Sequence, residues 1–225
     1  MFYIEFSPFT KIVFCDNGAY SYRNQGELIE YAKSKDKIFE WISFQGDVDK
    51  TKERGKGYGE GEIIQYALEN STVAQKAISI AKVTGRLKIE NISETVKKVK
   101  RQKNYFNRDI YRGHGIDTRF FLCDKEFYCA NLMRLYIQVR EDNSFTNAIE
   151  DIYYRTLIKS RRKIRTLKAY PAFKGISGGN GRNYSDISNV TIKLYSLLCR
   201  VRIFNWFYAG ILGFKKLRLV LRSKK

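Results

Sequence analysis

One histidine, two prolines and four cysteines among 225 residues remove whole classes of chemistry before any motif is considered. His114 is the lone imidazole, and Cys15, Cys123, Cys129 and Cys199 have no metal-ligand spacing, so a zinc centre has no ligand set. Three of those cysteines lie inside apolar strand or helix patterns. That suits buried free thiols and a reducing compartment rather than a disulfide framework. With so little proline, and with 16 Tyr and 15 Phe, the composition is that of a folded protein, not of a basic disordered tail. The longest apolar run, Ile203 to Phe214, is broken by Asn205 and falls well short of the roughly 20 residues that cross a bilayer. The first residues lack a basic start leading into an apolar run, so no signal peptide is expected. No Gly-Lys-Ser or Gly-Lys-Thr closes a phosphate loop, and helix-turn-helix, zinc-finger and RNA-recognition spacings are missing.

Acid is scarce as well. The 23 Asp and Glu stand against 42 Lys and Arg, for a net charge of +19 and a pI near 9.8. Such a balance favours an anionic partner: a nucleic acid, an acidic membrane surface or a phosphorylated substrate. From Ile187 to the end there are nine Lys or Arg and no acid, interleaved with Leu194, Leu197, Leu198, Ile203, Phe204, Trp206 and Phe207. That pattern reads as a basic amphipathic helix at a membrane surface.

What the chain has in quantity is glycine at particular places. Gly55-Lys56-Gly57-Tyr58-Gly59-Glu60-Gly61 puts four glycines in seven positions, which predicts a loop whose backbone lies close to a ligand. Glu62 to Leu68 follows as a helix with Ile63, Ile64, Ala67 and Leu68 on one face. Ala77 to Val83 reads as a short buried strand ending at the polar tip Thr84-Gly85-Arg86. Upstream, Lys11 to Cys15 is a strand that stops at the turn signal Asp16-Asn17-Gly18; Gln25 to Lys35 is a helix and Lys37 to Phe44 a second strand. Gln45 to Arg54 reads as a solvated loop, and Ser93 as the cap of a helix over Glu94 to Arg101. Further on, Ile116 to Cys123 is a strand, Lys125 to Arg140 a helix, and Ser144 to Ser160 a helix with its stripe at Ile149, Ile152, Tyr153 and Leu157. A second glycine loop spans Gly175 to Tyr184. Strands alternating with helices predict an α/β fold with a mostly parallel sheet, and ligands of such sheets bind beyond the carboxyl ends of the strands.

The order of strand, Asp16-Asn17-Gly18, second strand, glycine stretch, helix, strand and Lys82-Val83-Thr84-Gly85-Arg86 resembles the nucleotide-binding half of GT-A glycosyltransferases. It looks most like bacterial enzymes of capsule and O-antigen assembly, whose downstream Glu-containing helix and Gly-Ile-Ser-Gly loop are matched by Glu150 and by Ser177-Gly178. The likeness covers about residues 11 to 186. It implies a GT-A-like domain over 1–186 followed by the basic tail, 187–225. It also implies a hexosyltransferase-like, inverting chemistry, moving a sugar from a nucleotide-sugar donor to a lipid-linked or glycan acceptor on the inner face of the cell membrane. Position by position, Asp16 with Asn17 matches the nucleobase holder, and Gly57, Gly59 and Glu60 the helix start beneath the donor. Thr84, Gly85 and Arg86 stand where relatives place paired metal-binding aspartates, and Glu150-Asp151 where inverting relatives place the base. Since that aspartate pair is missing, Arg86 with Lys82 is expected to neutralise the diphosphate; magnesium or manganese stays open as a cofactor. The family's first strand belongs before Ile12, where only eleven residues stand, so a truncated start or a lost edge element is expected.

Each of these residues also has a plainer reading. Glu150 and Asp151 suit a solvated helix start facing Arg155, Arg86 a strand-end surface charge, and the first glycine stretch a surface hairpin. Asp117 and Arg119, alternating on a strand, form either an internal salt bridge or an acceptor contact. The loop with Ser177 and Gly178 is an acceptor site or a lid. Two other functions stand beside the transferase: a nucleic-acid-binding protein using Lys97 to Phe106, which the missing motifs disfavour, and an inactive, truncated relative.

Overall fold

The computed structural model describes residues 1–109, 115–141, 147–160, 164–176, 181, 183–184 and 187–200. A short helix, α1 (Phe2–Phe6), leads into strand β1 (Lys11–Asp16), helix α2 (Gln25–Ser34) and strand β2 (Ile38–Ser43). β1 and β2 pair in parallel, Phe14 beside Trp41 and Asp16 beside Ser43. A parallel pair needs a crossover, and α2 supplies it.

The stretch expected as a solvated loop instead winds into α3 (Val48–Arg54). Asp47 caps it, accepting a hydrogen bond from the Lys50 N–H at 2.9 Å, and Lys52 and Arg54 lie at its carboxyl end where the dipole favours cations. No residue of α3 is buried, so the polar composition was right about solvation while the cap decided the backbone.

The glycine stretch also departs from expectation. From Lys56 onward it is helix α4 (Lys56–Asn70), and only Gly55, at φ +100°, uses a conformation that favours glycine. A glycine costs about 1 kcal/mol in a helix, but side chains have no room on this one. A methyl at Gly57 would stand 2.9 Å from Ile149, and one at Gly61 would overlap Tyr136. Close packing, not a ligand, explains these glycines.

The remaining elements are α5 (Thr72–Gln75), β3 (Ser79–Val83), β4 (Lys88–Ile89), α6 (Ile92–Val96), β5 (Asn104–Tyr105), β6 (Phe120–Asp124), α7 (Lys125–Asn131), a 3-10 turn (Leu135–Gln138), α8 (Ile149–Lys159), β7 (Ile164–Arg165), β8 (Phe173–Lys174) and α9 (Asn189–Arg200). The fold is α/β, but among the described residues the expected mostly parallel sheet is replaced by three small ones: β1-β2, β3-β6-β5-β7 and β4-β8. The β3–β6, β5–β6 and β4–β8 ladders are antiparallel and only β1–β2 and β5–β7 parallel. Strand composition reports burial rather than direction, so this pairing was out of reach from residue types.

β6 divides the interior. Phe121 and Cys123 face a cluster with Tyr128, Leu132, Ile152 and Tyr153, whereas Phe120 and Leu122 face a second one with Leu87, Ile89, Leu167 and Phe173. A strand apolar at every position is the mark of burial on both faces. The predicted stripe of α8 is buried at all four positions, Ile149, Ile152, Tyr153 and Leu157. The predicted long helix after Lys125 stops at Asn131, and the 3-10 turn then seats Tyr136 against Gly61. Helix α6 starts earlier than predicted, at Ile92 with Asn91 as its cap. Cys15, Cys123 and Cys129 are free thiols.

Candidate functional site

The centre of the site is the end of β3. Lys82 points its side chain inward, where only 10% of it is exposed, and its ammonium meets the Glu60 carboxylate of α4. It also donates to the Thr118 carbonyl at 2.6 Å and to the Thr84 hydroxyl at 3.0 Å. An ammonium has three N–H donors, so these three acceptors satisfy it. The Thr84 hydroxyl in turn donates to Glu60 at 3.3 Å. Burial draws the Lys82 pKa down to about 7, with Arg86 acting the same way and Asp117 and Glu150 opposing them.

Other residues singled out in the sequence lie near this knot. Asp117, 3% exposed, takes the Arg119 guanidinium in a two-point grip, Nε to Oδ1 at 2.8 Å and Nη2 to Oδ2 at 2.7 Å. Arg119 also donates to the Tyr170 hydroxyl at 3.0 Å and lies 4.3 Å and 4.8 Å from the Phe173 and Tyr184 ring centres. Burial pulls its pKa down, yet the Asp117 charge and hydrogen bonds outweigh that and hold it well above the usual range. The pair is therefore an internal fastener, the plainer of its two readings.

Glu150 and Asp151 occupy the first turn of α8, where the helix dipole favours acids. The loop before β6 lies directly on that turn: the Ile116 N–H donates to the Glu150 carbonyl at 3.1 Å. Gly115, at φ +79°, makes the approach feasible, since a methyl there would stand 3.2 Å from both Glu150 and Asp151. Asp151 is 8% exposed, so it is not the solvated residue of the plainer reading.

On the other side, the Asp16 carboxylate turns the chain after β1 by accepting from the Gly18 N–H at 2.9 Å. Asn17 reaches α4, its amide 3.7 Å from where a methyl on Gly59 would be. A methyl on Gly85 would touch the Phe14 ring at 3.7 Å, so the tips of β1 and β3 meet. Phe14, Trp41 and Tyr22 stack in series there, with ring centres 4.4 Å and 5.3 Å apart.

Glu60, Lys82 and Thr84 thus meet in one knot, with Asp117 and Glu150 near enough for their charges to act on Lys82, while Asn17 lies beside Gly46 and Gly59. Gly57 and Gly59 serve helix packing. Arg86 stays exposed, its backbone against Gly175, where a methyl would stand 2.5 Å from the Arg86 carbonyl. Ser177, Gly178, His114 and residues 201–225 lie outside the described residues. Sequence reasoning missed the Phe14–Trp41–Tyr22 stack and the roles of Thr118 and Tyr170. The alternation of Phe14 with Asp16 along β1, beside Trp41 in β2, was the available signal for the first.

The tip at Thr84-Gly85-Arg86 does not fit a divalent cation. Magnesium and manganese take several oxygen ligands, and here Glu60 is already paired with the Lys82 ammonium and accepts from the Thr84 hydroxyl. Among the described residues no group of three or more His, Cys, Asp and Glu is placed to hold a metal. Comparison with protein-family models, curated proteins and solved structures finds no match to this chain.

Proposed function

We propose that the chain is a glycosyltransferase that moves a sugar from a nucleotide-sugar donor to a lipid-linked or glycan acceptor in surface polysaccharide assembly. The observation that supports this reading is the contact of Glu60 with Lys82 and Thr84, which ties the start of α4 to the end of β3, with Gly85 beside the Phe14 ring of β1. In this reading Asp16 and the aromatic stack hold the nucleobase, and the exposed Arg86 guanidinium takes the diphosphate. An acceptor hydroxyl attacks the anomeric carbon, the bond from that carbon to the diphosphate oxygen breaks, and Glu150 or Asp151 takes the hydroxyl proton. Positive charge at Arg86 stabilises the leaving diphosphate. Lys82, expected to share that work, is better suited as the internal counter-charge of Glu60.

In this reading the basic, apolar-interleaved sequence from Ile187 onward holds the enzyme at the inner face of the membrane. No described helix is long and apolar enough to cross it. A transfer or hydrolysis assay over UDP- and GDP-sugars tests the reading: Glu150→Gln or Asp151→Asn lowers turnover by at least 100-fold, and two fully active variants would remove the assigned base.

Nucleic-acid binding is the second reading. It is favoured by the exposure of Lys97, Lys98, Lys100, Arg101 and Lys103. Salt-sensitive retention on DNA or RNA, without binding to anionic vesicles, would select it.

A further inference from the structure

We infer that Arg108 seats an oxyanion, a phosphate or carboxylate group carried by the acceptor. Naming the acceptor as its carrier rests on the transferase reading; anion binding at Arg108 does not. The guanidinium lies 3.8 Å over the ring centre of Tyr154 in α8, so stacking fixes its plane. Its Nε and Nη2 are both shielded from solvent and have no hydrogen-bond partner among the described residues. These two nitrogens form the parallel donor edge that matches the two oxygens of a carboxylate or phosphate.

The same chain displays what such an edge does when it is supplied. In Arg119, Nε and Nη2 grip the two oxygens of Asp117. Arg108 presents the same two nitrogens without an anion on them. A shielded charged donor is costly to leave unmade, which makes an incoming oxyanion the natural completion.

Position connects this edge to the acid pair. Arg108 bridges to Ile116, whose N–H donates to the Glu150 carbonyl at 3.1 Å, and the Asn107 carbonyl accepts the Asp117 N–H at 2.9 Å. Tyr154 lies four residues after Glu150 and three after Asp151, on the same helical face. An anion on Arg108 would stand about one helical turn from the acid pair, where it would position the acceptor rather than take part in the bond change.

The test uses the full chain labelled with nitrogen-15 and follows arginine Nε–H resonances while inorganic phosphate or acetate is added at constant ionic strength, with chloride as the balance. One resonance, missing from the Arg108→Lys spectrum, is expected to shift and saturate, and Arg108→Lys to bind the anion at least ten-fold more weakly with unchanged circular dichroism. Preference for phosphate over acetate, or the reverse, identifies the group carried. If Arg108→Lys does not fold, Tyr154→Leu assigns the resonance through the lost ring-current shift. The inference is overturned if that resonance stays still with both anions or if Arg108→Lys binds them equally. UDP titration of the same sample reads the donor crevice separately: saturable phosphate binding at Arg108 without UDP binding would keep this site and sink the transferase reading.

Discussion

Lys82 is held by Glu60, Thr84 and Thr118 in a place where its charge is costly, and that conflict has a measurable sign. Its pKa falls from 10.5 to about 7 on folding. Below 7 both the folded and the unfolded chain carry the proton, and the burial penalty is constant. Between about 7 and 10.5 only the unfolded chain carries it, so stability rises with pH through that window. The unfolding free energy of the wild type, minus that of Lys82→Met, should climb there by up to about 1.4 kcal/mol per pH unit in urea titrations. A difference independent of pH would contradict the assigned environment. Asp117 offers a second residue-scale prediction. Asp117→Asn leaves the Arg119 charge buried with too little compensation, which costs about 3–5 kcal/mol. Replacing both partners with apolar residues of similar size costs far less. A urea midpoint for Asp117→Asn close to that of the wild type would mean that the grip on Arg119 carries little.

Helix α4 separates what a sequence can say locally from what only packing decides. Its glycines carry a local signal, the entropy a glycine loses in a helix, and that signal argued for a loop. The opposing term is tertiary: Tyr136, Ile149 and Glu141 come from elsewhere in the chain and leave no space for side chains at Gly57 and Gly61. Gly61→Ala should therefore destabilise by about 1–3 kcal/mol, overpacking outweighing the propensity gained. Gly59→Ala meets Thr51 at 3.2 Å and the Asn17 amide at an ordinary 3.7 Å, a milder crowding that the gain in helix propensity should offset to near neutral. A stabilising Gly61→Ala would restore the loop reading. Elsewhere the legible parts were those with a strong period or a run of apolar residues: β1, α2, β2, β3, β6 and the stripe of α8. The cap of α3 and the direction of strand pairing were not, because neither is written in apolar spacing. Within the site, the order of Asp16-Asn17, Glu60 and Thr84 along the chain was legible. The mutual neutralisation of Lys82 with Glu60, and of Arg119 with Asp117, was not, since partners distant in sequence carry no local mark.

Across the whole molecule, a charge of +19 is carried in part by a segment that has two faces. Helix α9 turns Tyr195 and Ser196 onto Tyr170, the same tyrosine that meets Arg119, while Val190, Leu194 and Leu197 stay exposed. The chain should sediment with phosphatidylserine vesicles at low salt, less so at high salt, and not with neutral ones. Leu194→Glu with Leu197→Glu should weaken that binding at least ten-fold; unaltered binding would take α9 out of the contact. The crevice itself is tested most directly by calorimetric titration of the full chain with UDP and GDP, comparing the wild type with Arg86→Ala and Trp41→Ala. Saturable binding of one nucleotide, weakened ten-fold or more by either substitution, is the predicted result, a change of about 1.4 kcal/mol or more. A folded wild type that binds neither nucleotide, or binds one equally well after both substitutions, would contradict the proposed donor site.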